Sequence, residues 1–121
     1  MYHEYKAAAH LLGTDDPTGG ARLFRPPKGY LDLKGAVLIR KLGLRTWLWT
    51  IDTEDWRPGI SAEEVLAAGA SAQSGDVILL HDGLEGPLDE RALDRTATVA
   101  ALPKIIETLR AKSLRFVTLS S

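Results

Sequence analysis

The chain has 121 residues, 45% of them hydrophobic and 26% charged, the balance of an ordinary globular domain, and its length suits a single one. Fifteen Lys and Arg against sixteen Asp and Glu give a formal net charge of −1, so no positive excess exists to hold a phosphate backbone and nucleic acid is excluded as the main partner. Without cysteine there is no disulfide framework, thiolate nucleophile or Cys-ligated zinc, and the redox compartment stays open; no apolar run approaches the ~18 residues of a membrane span, and the Met1–Lys6 start lacks the apolar core of a signal peptide.

In chain order, Tyr2, Tyr5, Ala9 and Leu12 recur at helical spacing and predict an amphipathic helix over 2–12, ended by the turn formers of Gly13–Gly20. Arg22–Arg25 reads as a short strand stopped by Pro26-Pro27. A helix is expected from Leu31 to Leu42, closed by Gly43 as a left-handed cap. Leu44–Thr50 is rich in aromatics and reads as a strand. Ser61-Ala62-Glu63-Glu64 matches a capping box and predicts a helix running to about Gln73. Asp76–Leu80 is an apolar run of the kind found in buried parallel strands. After a loop of mixed charge, Val99, Leu102, Ile106 and Leu109 outline one face of a helix near 98–112, and Pro103 places the start of its regular part at about Leu102. Leu114–Leu119 completes the pattern as a last strand. The α-β-α-β-α-β-α-β order predicts parallel βα units, with the four strands in one sheet.

In such folds chemistry gathers beyond the carboxyl ends of the strands. Three clusters stand there: Arg25-Pro26-Pro27-Lys28-Gly29-Tyr30, Asp52-Thr53-Glu54-Asp55-Trp56 and His81-Asp82-Gly83. Strand alternation puts Val77, Leu79 and His81 on one face and sends Asp82 elsewhere, so a carboxylate partner for His81 must come from another loop. Asp55 is the best placed. A carboxylate beside an imidazole favours the charged ring, which suits a general acid; a histidine bonding the strand end is the plainer reading of the same position. The prolines and Gly29 can aim Arg25 and the Lys28 amide at a fixed point, or form a simple turn or a polyproline-type ligand. Trp56 fits either a groove wall or core packing.

In this order the clusters resemble the polysaccharide deacetylase family, the NodB-homology or carbohydrate esterase family 4 domain. Its R-x-P-x-G segment reads here as Arg25–Gly29, its D-x-x-D-W as Asp52–Trp56, and its L-x-H followed by an aspartate as Leu79-Leu80-His81-Asp82. The Leu102–Ile106 and Phe116–Leu119 stretches are similar to the end of that domain, and the resemblance spans the chain from about Leu11. It implies an α/β fold in which parallel βα units form the C-terminal part of a distorted (β/α) barrel, residues 1–121 being one partial domain.

The resemblance also implies roles. His81 would protonate the leaving amine, tuned by Asp55. Arg25 would orient an aspartate base by a charge-assisted pair. The backbone N–H of Lys28, a position usually aromatic in the family, would help bind the oxyanion. Trp56 would wall the sugar groove and Leu79 would line the pocket for the acetyl methyl. The partner implied is an N-acetylated polysaccharide or oligosaccharide, in a family often secreted or found at the cell envelope.

The complete family domain uses a divalent metal such as zinc, held by one Asp and two His of earlier motifs: an acidic pair after the first strand and an H-x-x-x-H segment. This sequence lacks both. Thr14-Asp15-Asp16 follows a helix pattern inside a Gly/Pro loop. His3 and His10 are seven residues apart, about 10 Å along a helix, too far to share one ion. The expectation is therefore a chain that binds no metal, carries the general-acid half of an N-acetyl amino-sugar hydrolase and is inactive alone; the alternative is a non-catalytic carbohydrate-binding or interaction module of that fold. Four parallel strands cut from a barrel would leave bare edges and an apolar face, which predicts self-association or a need for the missing half.

Overall fold

The computed structural model describes residues 22–84, 86 and 89–119. The expected helix over 2–12, with His3, His10, Asp15 and Asp16, lies outside the described residues. The described residues form two compact units: one holds residues 22–48 together with Thr118 and Leu119, the other the described residues between Trp49 and Val117.

In the first unit, β1 (Arg22–Phe24) and β2 (Leu44–Thr46) pair in parallel, Leu23 facing Arg45 and Phe24 facing Thr46. The chain between them contains α1 (Leu33–Lys41). Asp32 opens this helix by accepting the Gly35 N–H at 2.7 Å, the role its short carboxylate suits. The chain leaves through Gly43 at φ +67, where glycine avoids the Cβ clash of a left-handed backbone.

In the second unit, β3 (Ile51–Asp52) and β4 (Ile78–Leu79) pair in parallel, Ile51 with Ile78 and Asp52 with Leu79. Between them stands α2 (Ala62–Ala70), which starts on the expected capping box: Ser61 accepts the Glu64 N–H, and Glu64 accepts the Ser61 N–H. Then α3 (Thr96–Ala111) packs on α2. The core is Val65, Ala72, Ala101, Ile105 and Leu109, with Ile51, Ile78, Leu80 and Leu114 against it. Gly69 of α2 lies against Ile105, where an added Cβ would come within 2.6 Å of the Ile105 Cδ1 atom.

Several expectations are corrected. The four strands do not share one sheet: among the described residues there are two sheets of two strands each. The strand expected over 44–50 divides, because the Trp47 N–H bonds to Phe24 O whereas the Thr50 and Ile51 N–H groups both bond to Val77 O. The strand expected over 76–80 is regular only at Ile78–Leu79. Residues 114–119 form no strand. Instead α3 ends in a Schellman turn, with Ser113 at φ 63 and N–H groups of Ser113 and Leu114 bonded to Arg110 O and Leu109 O. A β-forming composition yields a strand only where a ladder partner is present.

The helix expected to become regular at Leu102 begins at Thr96 and runs through Pro103. Proline leaves the Val99 carbonyl without its helical donor, but Pro103 and Val99 lie on the exposed side, where water serves it. The buried face is Thr98, Ala101, Ile105 and Leu109, not the expected Val99, Leu102 and Ile106.

The close approach at Gly69 yields a stability prediction. Gly69→Ala drives a methyl into Ile105, which is itself fully enclosed, and is expected to lower unfolding stability by about 1–3 kcal/mol in urea titrations. Ser61→Ala removes the side-chain half of the capping box and is expected to cost about 1 kcal/mol.

Candidate active site

The site grows from the loops that follow β3 and β4. After Asp52 the backbone turns sharply: the Glu54 N–H donates to Asp52 Oδ1 at 2.9 Å and Glu54 itself adopts φ 51. Few side chains tolerate that conformation, and it persists where surrounding bonds enforce it. Thr53, buried, donates its hydroxyl to Leu79 O at 2.8 Å and ties the loop to the end of β4. Asp55 then points inward with 1% of its surface exposed.

Its carboxylate meets His81 twice. Oδ1 lies 2.7 Å from the ring Nδ1, and Oδ2 accepts the His81 backbone N–H at 2.9 Å. Oδ2 also accepts the Thr98 hydroxyl at 2.8 Å. Arg95, which immediately precedes α3, donates Nη1 to Asp55 O at 3.0 Å and holds the same nitrogen 3.8 Å from Oδ2, while its Nη2 bonds to Ala92 O. Burial is the largest single influence on the Asp55 carboxyl and pushes its pKa up. The donors from the His81 backbone, the His81 ring and Thr98, with the His81 charge, outweigh it together and hold the group below the ordinary Asp value. The His81 side chain is 25% exposed. With Nδ1 engaged by Asp55, Nε2 is the ring nitrogen left for exchange with a bound molecule.

No protein-family model matches the chain. Among curated proteins it is 41% identical over 101 residues to a peptidoglycan-N-acetylglucosamine deacetylase of Bacillus cereus, a match covering 81% of this chain and 43% of that protein. Over 112 residues it is 32% identical to a chitooligosaccharide deacetylase of Azorhizobium caulinodans, covering 88% of this chain and 50% of the relative. A solved structure, a family 4 carbohydrate esterase from Streptomyces lividans in complex with acetate, superposes with a TM-score of 0.66 at 31% identity, covering 82% of this chain and 45% of that one. The chain is a homologue of the polysaccharide deacetylases. It spans about half the length of these relatives, or less.

Within this deacetylase homologue the expected residues distribute as follows. Asp55 and His81 are brought together directly. Trp56 follows Asp55 and is 41% exposed, and Leu79 is buried at the end of β4. Arg25 and Lys28 belong to the first unit. Arg25 follows β1 and donates Nε to Trp47 O at 3.4 Å. Lys28 sits at φ 55 inside the tight turn Pro27–Gly29, whose Gly29 N–H returns to Pro26 O at 3.0 Å. Sequence reasoning missed Thr53, Arg95 and Thr98. Arg95 and Thr98 stand about 40 residues from Asp55 in sequence, and Thr98 falls within a stripe that reads as a plain helix face.

Among the described residues no three His, Cys, Asp or Glu side chains gather as a metal would require. The divalent metal implied by the family resemblance therefore has no ligand set there.

The lowered Asp55 pKa fixes the sign of a pH effect. Ionisation is favoured in the folded state, so the stabilisation is complete above the ordinary carboxylate value and is lost as pH falls through the lower native one. Asp55→Asn is expected to cost about 1.5–3 kcal/mol at pH 6. The gap to the wild-type chain is expected to narrow below about pH 4, as checked by urea unfolding at both pH values.

Proposed function

We propose that this segment is the C-terminal part of a deacetylase barrel and supplies its proton-delivering half, acting on N-acetyl groups of an amino-sugar polymer. The observation that carries this reading is a part-exposed imidazole at the carboxyl end of a parallel strand, bonded through Nδ1 to a buried carboxylate. Breaking the amide C–N bond leaves a nitrogen that must gain a proton before it departs, and an imidazolium held in one orientation is a suitable donor. In this reading Nε2 of His81 faces the leaving amine, and Asp55 keeps the ring turned toward it through Nδ1.

The other assignments extend the reading to the groove. Trp56, half in solvent, offers an aromatic face to the apolar side of a sugar ring. Leu79 closes the floor where an acetyl methyl would rest. By the family resemblance alone, Arg25 would orient the base supplied by the motifs this chain lacks, and the Lys28 amide would help bind the developing oxyanion. The relatives named for peptidoglycan N-acetylglucosamine and for chitooligosaccharides point to N-acetylglucosamine oligomers as the substrate class.

Two measurements test the reading. N-acetylglucosamine oligomers added to the isotopically labelled chain are expected to shift the Trp56 indole and His81 ring resonances; a titration that moves neither overturns it. Fused behind a segment carrying the acidic pair and the H-x-x-x-H motif, the chain is expected to release acetate from those oligomers, and His81→Ala to lower turnover by about 10²–10⁴-fold. Unchanged turnover in that variant would remove His81 from the proton transfer.

The partial-barrel reading has its own consequence. Val99, 69% exposed, and Leu102 lie uncovered on α3, and a sheet cut from a barrel has open edges. Sedimentation at micromolar concentration is expected to report self-association of the isolated chain, and a compact monomer would contradict it.

A further inference from the structure

We propose that Thr98 and Arg95 are positioning residues for the Asp55–His81 pair, so that the direction in which the imidazole presents its free nitrogen is set from the start of α3. The inference rests on the proton-donor reading of His81 and adds to it residues outside the three motifs.

The argument starts from the torsional freedom of an aspartate. The last side-chain torsion of Asp is soft and broad, so a carboxylate facing one imidazole can twist and carry the ring with it. Here the twist is blocked. Oδ1 is given to the ring, and Oδ2 receives two donors from different segments, the His81 N–H at 2.9 Å and the Thr98 hydroxyl at 2.8 Å. The two oxygens thus have distinct partners, and exchanging them would break the Thr98 bond in an enclosed site, where an unmade bond is expensive.

Arg95 acts one bond further back. Its Nη1 holds the Asp55 carbonyl at 3.0 Å and lies 3.8 Å from Oδ2, which fixes the backbone from which the carboxylate hangs and places a permanent positive charge beside it. Arg95 Nε is buried without a hydrogen-bond partner. Its terminal nitrogens reach Asp55 and Ala92, so the guanidinium joins the loop after β3 to the segment that leads into α3. Thr98 also contributes to lowering the Asp55 pKa, as a hydroxyl donating to a carboxylate should.

Ring spectroscopy separates positioning from simple structural support. In the labelled full chain, the Nδ1–H proton of His81, assigned by its absence in His81→Ala, is expected far downfield because it faces a carboxylate at 2.7 Å. Thr98→Ser keeps a hydroxyl and should preserve this resonance. Thr98→Val, nearly the same shape without the donor, and Arg95→Gln should lose it or move it upfield, with the share of rings protonated at Nε2 instead of Nδ1 rising about tenfold. If folded Thr98→Val and Arg95→Gln keep the wild-type ring spectrum while melting earlier, the two residues only support the fold and the proposal fails. Should Thr98→Val not fold, Thr98→Cys, with its weak thiol donor, takes its place under the same expectation. The ring signal reads orientation without turnover, so a negative result here leaves the proton-donor reading standing, and only the fused-chain assay of His81→Ala removes that.

Discussion

A carboxylate taken almost wholly out of water stays ionised only if fixed donors replace the water it has lost. The Asp55 carboxylate has these from the backbone and ring of His81 after β4 and from the hydroxyl of Thr98 in the first turn of α3, while Arg95 holds the Asp55 backbone carbonyl. These donors come from two segments, so the loop after β3, the end of β4 and the start of α3 are bound to one charge. The strained Glu54 backbone belongs to the same arrangement. At φ 51 it reverses the chain so that Asp55 points in and the Glu54 side chain points out, 3.4 Å from the Arg57 guanidinium. Local strain of this kind is held in place by the bonds around it, and here most of them end on the residue that follows.

The parts of the molecule most legible in the sequence are those governed by short-range stereochemistry. The capping box at Ser61 and Glu64 and the left-handed Gly43 involve residues within one turn of each other, so the pattern alone carries the geometry. The meeting of Asp55 and His81 was legible for a related reason. Strand alternation removes Asp82 from the His81 face, and two parallel strands deliver their following loops to the same end. What escaped were contacts between distant segments. Nothing near Arg95 or Thr98 indicates that their partner is some forty residues earlier. Strand extent escaped likewise: Leu44–Thr50 has one composition but two sets of hydrogen-bond partners, and Leu114–Leu119 has the composition of a strand while its first residue is used to close a helix.

The homology and the site bear on different levels of the argument. Similarity to deacetylases over most of this chain assigns descent and the fold of the matched part, and the same matches cover only about half of those proteins or less. Fold alone does not confer a reaction. What the site itself shows is an imidazole held through Nδ1 by a buried carboxylate, an arrangement able to hold a proton. Hydrolysis of an amide needs both an attacking oxygen and a protonated leaving nitrogen. The proposed function therefore assigns this segment one of two separable tasks, consistent with a sequence in which the motifs for the other are missing.

The misplaced face of α3 shows how fold and site are joined. Counting apolar residues selects Val99, Leu102 and Ile106, yet the buried stripe is Thr98, Ala101, Ile105 and Leu109. The two stripes share Leu109 and differ by one residue of rotation, and the true one begins with a threonine. A polar residue at the top of a core stripe counts against it in any hydrophobic tally. It is favourable here because its hydroxyl replaces a water on Asp55. Turning α3 by one residue to bury Val99 would withdraw that hydroxyl and leave an enclosed carboxylate short of a donor, a loss of about 1–3 kcal/mol, comparable to the gain from covering one valine. The gain on the apolar side is thus cancelled by the loss at Asp55, and packing of Ala101 and Ile105 against α2 decides the rotation. The helix that closes the core and the pair that would move a proton are therefore joined through the Thr98 hydroxyl and the Arg95 guanidinium.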